Sequence, residues 1–244
     1  MINLNESDVS KPLNGFKYQD FLGEFVYGGI DGSVTTFAVV AGSAGADLDI
    51  SIILILGLAN LLADGFSMSV GAYLSTKSSR ENYEKHRKTE YREIQEIPES
   101  EREEIRQIYR KKGFEGELLE QVVEVITADK DRWVDVMMKD ELEMIPEQKS
   151  PLAIAAVTYL SFLLVGVVPL MIYLFNIHSN QSLDRLFLIS TILTSLTFVG
   201  IGLLKAVVTE TSRIRGILET LLLGSSAAAV SYFVGDFLEK LIAG

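Results

Sequence analysis

The chain has 244 residues, of which 48% are hydrophobic, and a formal net charge of −11. This acidic balance argues against nucleic acid as a partner, because nucleic-acid-binding proteins present a basic face. The absence of cysteine excludes disulfides, iron–sulfur clusters and thiolate zinc sites. We also find no G-x-x-x-x-G-K-[ST] loop and no nucleophile–histidine–carboxylate set, so we expect neither an ATP-driven pump nor an enzyme.

The charged residues are concentrated in one part of the chain. Of the 55 charged side chains, 35 lie within residues 76–150, and the rest of the chain is strongly apolar. A single globular domain does not segregate its charges in this way. We therefore predict three parts: residues 1–75, a polar insert at 76–150, and residues 151–244.

Five apolar segments are long enough to cross a bilayer, which takes about 20 residues of helix. They cover residues 21–46, 50–75, 152–175, 186–204 and 216–238. The first could instead be a loop, because it contains Glu24 and Asp31, and charged groups are costly inside a membrane. Its Gly28 and Gly32 form a small-xxx-small pair, which favours close helix packing in lipid. The sequence thus predicts an all-α integral membrane protein with five transmembrane helices.

Lysine and arginine predict the orientation of these spans. The connections at 45–49 and 176–184 have none, whereas 205–215 has three and the insert has 15. Basic loops face the cytoplasm, so we expect the N-terminus, the insert and the 205–215 loop there. The host membrane would be the plasma membrane of a prokaryote, or the vacuolar membrane of a eukaryote.

The polar insert is expected to form three or four helices. They would cover residues 75–96, 99–112, 117–128 and 129–144, with Asp129 or Asp131 capping the last. The third carries apolar residues at helical spacing, which predict its buried face. These residues are Leu118, Val122, Val125 and Ile126. Disorder is the alternative for so charged a segment, but disordered chains lack such apolar stripes.

Polar residues within the first two spans are candidates for a cation path. Asn60, Asp64 and Met68 are spaced i, i+4, i+8, so they share one helix face over about 12 Å. Asp31 adds a carboxylate in the first span. Carboxylate with thioether suits a borderline transition metal better than Mg²⁺ or Ca²⁺. Taken alone, Met68 would more often be a packing residue.

The insert carries a second set of possible ligands, at helical spacing on three predicted helices. They are Glu90 and Glu93, Glu101 and Glu104, and Met137, Met138 and Glu141. If the helices bundle, these side chains would form one site of oxygen and sulfur ligands. The alternative is a solvated charged face, which is the usual environment of glutamate.

At these positions the chain resembles the vacuolar iron transporter family, also called the yeast-type calcium-sensitive cross-complementer family. The resemblance extends from about residue 24 to residue 244 and depends on the order and spacing of six segments. They are GGIDGSVTT (28–36), SMSVGAYLS (67–75), the glutamate-rich 90–104, MMKDEL (137–142), GVVPL (166–170) and AAAVSYFVG (227–235).

The resemblance implies a homodimer of five-span subunits that exports Fe²⁺, and often Mn²⁺, from the cytosol in exchange for protons. Zn²⁺ is a further candidate ion, and no cofactor is expected. The resemblance also implies that Asp31 and Met68 line the translocation path. It also assigns metal binding in the cytoplasmic domain to Glu90, Glu93, Glu101, Glu104, Met137, Met138 and Glu141.

One position departs from the family pattern. Many members have a glutamate in the second span, two turns before the methionine, where this chain has Asn60. Asp64 lies one turn later on the same face and is the candidate for proton coupling.

Two alternative functions stay open from the sequence. One is a membrane-anchored metal sensor or buffer, and the other is a channel or transporter for another divalent ion.

Overall fold

The computed structural model describes residues 18–177 and 181–243, and these residues form helices and no strands. The predicted cytoplasmic N-terminus, residues 1–17, lies outside them. The helices are α1 (Leu22–Gly45), α2 (Ile50–Glu96), α3 (Pro98–Lys111), α4 (Gly116–Thr127), α5 (Lys130–Val136), α6 (Pro151–Gly166), α7 (Val168–Phe175), α8 (Leu183–Val208) and α9 (Arg213–Ala243). A 3₁₀ turn (Tyr18–Phe21) precedes α1, and a π-helical turn (Met137–Glu141) follows α5.

The chain divides into two compact units. One comprises Met1–Val70 with Ile154–Gly244, hereafter the membrane unit, and the other is Gly71–Ala153, hereafter the acidic unit. In the membrane unit α1 packs mainly against α9 and α8. The core there includes Phe37 and Val40 of α1, which lie in one hydrophobic cluster with Tyr173 and Phe198.

Four helices, α1, α2, α8 and α9, are long and apolar enough to cross a membrane, and α6 with α7 would form a fifth, bent span. The loop alternative for residues 21–46 is therefore excluded, because α1 is a continuous helix there. The axis bends by 47° between α6 and α7. Pro169 explains the break, since it has no N–H for the preceding turn and its ring clashes with that turn. Ser190 of α8 donates a hydrogen bond to the Pro169 carbonyl at 2.7 Å.

The glycine pair of the first span allows α1 and α6 to touch. A methyl group at Gly28 would lie 2.7 Å from the Thr158 carbonyl oxygen, and one at Gly32 would overlap the Phe162 carbonyl. Larger side chains would push the two helices apart. The small-xxx-small pair thus has the packing role that its spacing predicted.

The acidic unit has its own hydrophobic cluster. It comprises Ile94, Ile105, Leu119, Val123, Ile126, Trp133, Val134, Met137 and Met138. The predicted face of α4 is partly confirmed, because Ile126 is buried and Val122 packs against the cluster. Leu118 and Val125 are instead 56% and 59% exposed, and Leu119 and Val123 are buried in their place. Apolar residues occupy two neighbouring faces of α4, so periodicity could not choose between them. The packing of α4 against α3 and α5 makes the choice.

The last helix of the acidic unit is shorter than predicted. Asp129 caps it, accepting a hydrogen bond from the Arg132 backbone N–H at 2.8 Å. The α-helix ends at Val136 and continues as the π-helical turn instead of running to residue 144. Turns of this kind are rare in proteins and are found frequently at functional sites.

Candidate metal centre

Two helices of the membrane unit present the polar residues of the predicted cation path. Asp31 lies on α1, and Asn60, Asp64 and Met68 lie on successive turns of α2. All four are half-buried, and the three on α2 share one helix face. The carboxylates of Asp31 and Asp64 are close enough to repel each other. Two acidic groups from separate apolar helices are therefore brought into the same region.

Two glutamates of the acidic unit are withdrawn from solvent. Glu90 on α2 is 5% exposed and Glu101 on α3 is 3% exposed. The Oε2 atom of Glu90 has no hydrogen-bond partner among the described residues. Burying a carboxylate without compensation is costly, so the burial of Glu90 is not explained by a contribution to folding. The apolar part of α2 ends at Ser75, and Glu90 lies four turns beyond it.

Burial and like charges shift the pKa of these groups. Burial raises the pKa of Glu90 to about 7, and the charges of Glu141, Glu93 and Glu104 add to the effect. The pKa of Glu101 is likewise raised to about 7, first by burial and then by its acidic neighbours. Partial desolvation raises the pKa of Glu141, assisted by Glu104 and Glu93, although Glu141 is exposed at the surface. All five predicted glutamates thus form one electrostatic cluster.

The five glutamates are clustered, but their carboxylates do not surround one common metal position. No three histidine or acidic side chains within residues 18–177 and 181–243 have their ligating atoms placed around a common metal position. The negative charge is nevertheless concentrated, because the side chains of Glu104 and Glu141 come close enough to hydrogen-bond. A divalent cation would compensate that charge and draw the carboxylates together.

The predicted methionine ligands lie in the interior of the acidic unit. Met137 is 0% and Met138 1% exposed. Both belong to the hydrophobic cluster that contains Ile94 and Ile105. Because Ile94 follows Glu90 by one turn of α2, and Ile105 follows Glu101 by one turn of α3, the thioethers and the carboxylates come from the same small bundle. An ion held by both sets would have hard oxygen and soft sulfur ligands.

The raised pKa values predict how the metal-free acidic unit responds to pH. The folded-state pKa of Glu90 and Glu101, about 7, exceeds the ordinary value of 4.5. Folding therefore favours the protonated carboxyls, and this stabilisation is fully present below pH 4.5 and is lost as the pH rises through about 7. We expect the melting temperature of the acidic unit to fall steadily between about pH 5 and pH 8.

The single tryptophan provides a local probe for this measurement, because Trp133 is buried in the acidic unit. The full-length protein in detergent, with chelator present, would be melted at a series of pH values while Trp133 fluorescence is followed. Replacing both Glu90 and Glu101 with Gln should flatten the pH profile. Stability that increases across the same pH window would contradict the assignment.

These observations describe a multi-pass α-helical integral membrane protein that carries clustered carboxylates. Comparison with known proteins identifies the family to which the chain belongs. The chain belongs to the VIT family, which it matches over residues 22–236.

Curated relatives cover most of both chains. Vacuolar iron transporter 1 of Tulipa gesneriana is 32% identical over 93% of this chain and 90% of its own length. The vacuolar iron transporter of Toxoplasma gondii is 30% identical over 91% of this chain and 76% of its own length. Vacuolar iron transporter 1 of Arabidopsis thaliana is 29% identical over 92% of this chain and 88% of its own length. The family predicted from the sequence motifs is confirmed.

Proposed function

We propose that the protein exports Fe²⁺ from the cytosol by exchange for protons, and that it transports Mn²⁺ as a second cargo. The observation that carries this proposal is that Asp31 and Asp64, half-buried carboxylates on two separate apolar helices, lie within electrostatic reach of each other. Ionisable residues inside a membrane are costly, and they mark ion and proton pathways. Iron is proposed as the metal because the relatives are named vacuolar iron transporters.

The acidic unit acts first, as the cytoplasmic collector of the ion. Its five clustered glutamates raise the local concentration of divalent cations, as clefts lined by one sign of charge do. Met137 and Met138 add sulfur ligands, which favour Fe²⁺, and to a lesser degree Mn²⁺ or Zn²⁺, over Ca²⁺ and Mg²⁺. Family membership and the burial of Glu90 and Glu101 support this role.

Proton exchange follows from the requirement that metal ligands be deprotonated. A carboxylate that binds the ion from the cytosol must first lose its proton, and a proton arriving from the other side competes with the metal and releases it. In this chain Asp31 would hold the metal and Asp64 would carry the proton, because Asn60 cannot titrate. The working unit is a homodimer in which Asp31 and Met68 of both subunits surround the ion.

The cargo can be tested directly. Proteoliposomes containing the purified protein would be offered Fe²⁺, Mn²⁺, Zn²⁺ and Ca²⁺ separately, and uptake would be measured with a fluorescent indicator. We expect Fe²⁺ and Mn²⁺ to enter and Ca²⁺ to be excluded. Metal binding without any flux would instead identify a membrane-anchored sensor or buffer, and rapid Ca²⁺ entry would identify a different cation transporter.

The thioether of Met68 provides a test of selectivity. Met68→Leu conserves volume and apolarity, so the fold should survive. Fe²⁺ uptake should fall severalfold because the sulfur ligand is lost. Met171→Leu, a change of the same type on α7, should leave uptake at the parental rate. Equal rates for both variants would show that Met68 is a packing residue.

A further inference from the structure

The π-helical turn of the acidic unit holds three of the candidate ligands, namely Met137, Met138 and Glu141. The turn has the hydrogen bond of a π-helix, which spans five residues: the Leu142 N–H donates to the Met137 carbonyl at 3.1 Å. The following turn is wider still, because the Met144 N–H reaches the Met138 carbonyl at 2.8 Å. π-Helical turns are rare, so this one requires support from outside its own segment.

That support comes from the C-terminal end of α3. The Lys112 ammonium lies 2.5 Å from a carboxylate oxygen of Asp140, which is a member of the π-helical turn. The same ammonium lies 4.6 Å from the centre of the Tyr109 ring, which fixes its direction through a cation–π contact. Tyr109 in turn packs on Phe114, with ring centres 5.6 Å apart. The Tyr109 ring and the Asp140 carboxylate therefore both contact the lysine ammonium.

The ion pair links the two elements that carry most of the ligands. Lys112 caps the helix that presents Glu101 and Glu104, and Asp140 lies between Met138 and Glu141. Neither residue belongs to the glutamate cluster. Their separation of 28 residues in sequence gives no helical spacing that could reveal the pair.

We propose that the Lys112–Asp140 ion pair is a positioning device that sets the metal selectivity of the acidic unit. It holds the π-helical turn against α3 so that the methionine sulfurs and the glutamate oxygens reach the same ion. Without the pair the turn relaxes in a larger share of the molecules, and in these a site of carboxylates alone remains. Such a site no longer prefers transition metals to Ca²⁺. This inference rests on the proposed metal-binding role of the acidic unit.

The test compares Asp140→Asn and Lys112→Gln with the parent, all as full-length protein in detergent and all in the Met68→Leu background. In that background the sulfur ligands at the acidic unit can be observed without a contribution from Met68. Calorimetry would measure affinity for Co²⁺ and for Ca²⁺, and X-ray absorption of bound Co²⁺ would report sulfur neighbours. We expect Co²⁺ to bind about five-fold more weakly, as for loss of a partly exposed ion pair. The sulfur signal should decrease, and Ca²⁺ affinity should be unchanged.

Matched variants separate positioning from general stability. Lys112→Arg should retain both the sulfur signal and the Co²⁺ affinity, and the reversed pair Lys112→Glu with Asp140→Lys should restore them. Lys111→Gln and Asp135→Asn alter exposed neighbours of the same type and should behave as the parent.

Three results would overturn the inference. If the parent binds Co²⁺ with sulfur neighbours and both variants keep them, the pair does not position the methionines, although the proposed function stands. If Co²⁺ and Ca²⁺ affinities fall together with the melting temperature, the pair is a structural contact only. If the parent itself binds Co²⁺ without sulfur, or not at all, the metal site proposed for the acidic unit fails as well.

Discussion

Glu101→Gln is expected to stabilise the metal-free protein and at the same time to weaken its binding of divalent metal. Glu101 is 3% exposed, and its pKa is raised to about 7. At pH 8 the folded state therefore carries an ionised carboxylate in an unfavourable place, which the neutral amide removes. We expect the free energy of unfolding to rise by roughly 1–3 kcal/mol, from the value of about 1.4 kcal/mol per pKa unit. Metal affinity should fall at least about ten-fold, because even outer-shell partners of metal ligands are worth that much.

The opposite signs of the two effects make this variant informative. Thermal unfolding and calorimetry on the same full-length preparation would measure both. Glu99→Gln, at an exposed position on the same helix, should change neither quantity. A loss of stability together with unchanged metal affinity would show that Glu101 serves the fold and not a metal site.

Asp31→Asn and Asp64→Asn should have different effects on transport. We expect Asp31→Asn to abolish metal flux, because the proposed path loses a charged ligand that cannot be replaced. Asp64→Asn should leave a residual flux that no longer responds to a pH gradient, since the group that carries the proton is gone. Uptake in proteoliposomes, with and without an imposed gradient, would measure both. Asp49→Asn, at an exposed position between α1 and α2, is the control.

Full gradient-driven flux in Asp64→Asn would show that its role was misassigned and that Asp31 serves both metal and proton. Loss of all flux in both variants would mean that the two carboxylates act as one unit. That outcome is physically reasonable for acidic groups within mutual electrostatic reach.

Hydropathy and charge were sufficient to predict most helices. The apolar runs of α1, α2, α8 and α9 lie within a few residues of the predicted spans. Residues 152–175 satisfy the same length criterion, but hydropathy does not register the bend that Pro169 introduces between α6 and α7. The proline was visible in the sequence, whereas the 47° angle depends on packing, including the bond from Ser190.

The acidic unit shows where pattern analysis reaches its limit. Helical spacing identified Glu90 and Glu101 as members of carboxylate pairs, but spacing cannot distinguish a buried glutamate from a solvated one. Their burial depends on how the acidic unit assembles, which is a property of long-range contacts. The same applies to α4, where two apolar faces compete, and to the π-helical turn, which has no sequence signature.

Reciprocal coupling in proteoliposomes is the most direct measurement of whether Fe²⁺ is exchanged for protons. An Fe²⁺ gradient would be imposed across vesicles with no initial pH difference, and the internal pH would be followed with a trapped dye. If the account is correct, Fe²⁺ entry drives protons out and the vesicle interior becomes alkaline, with no such change in vesicles carrying Asp31→Asn. Fe²⁺ entry at the full rate with no movement of protons would contradict the account and indicate a channel or uniporter.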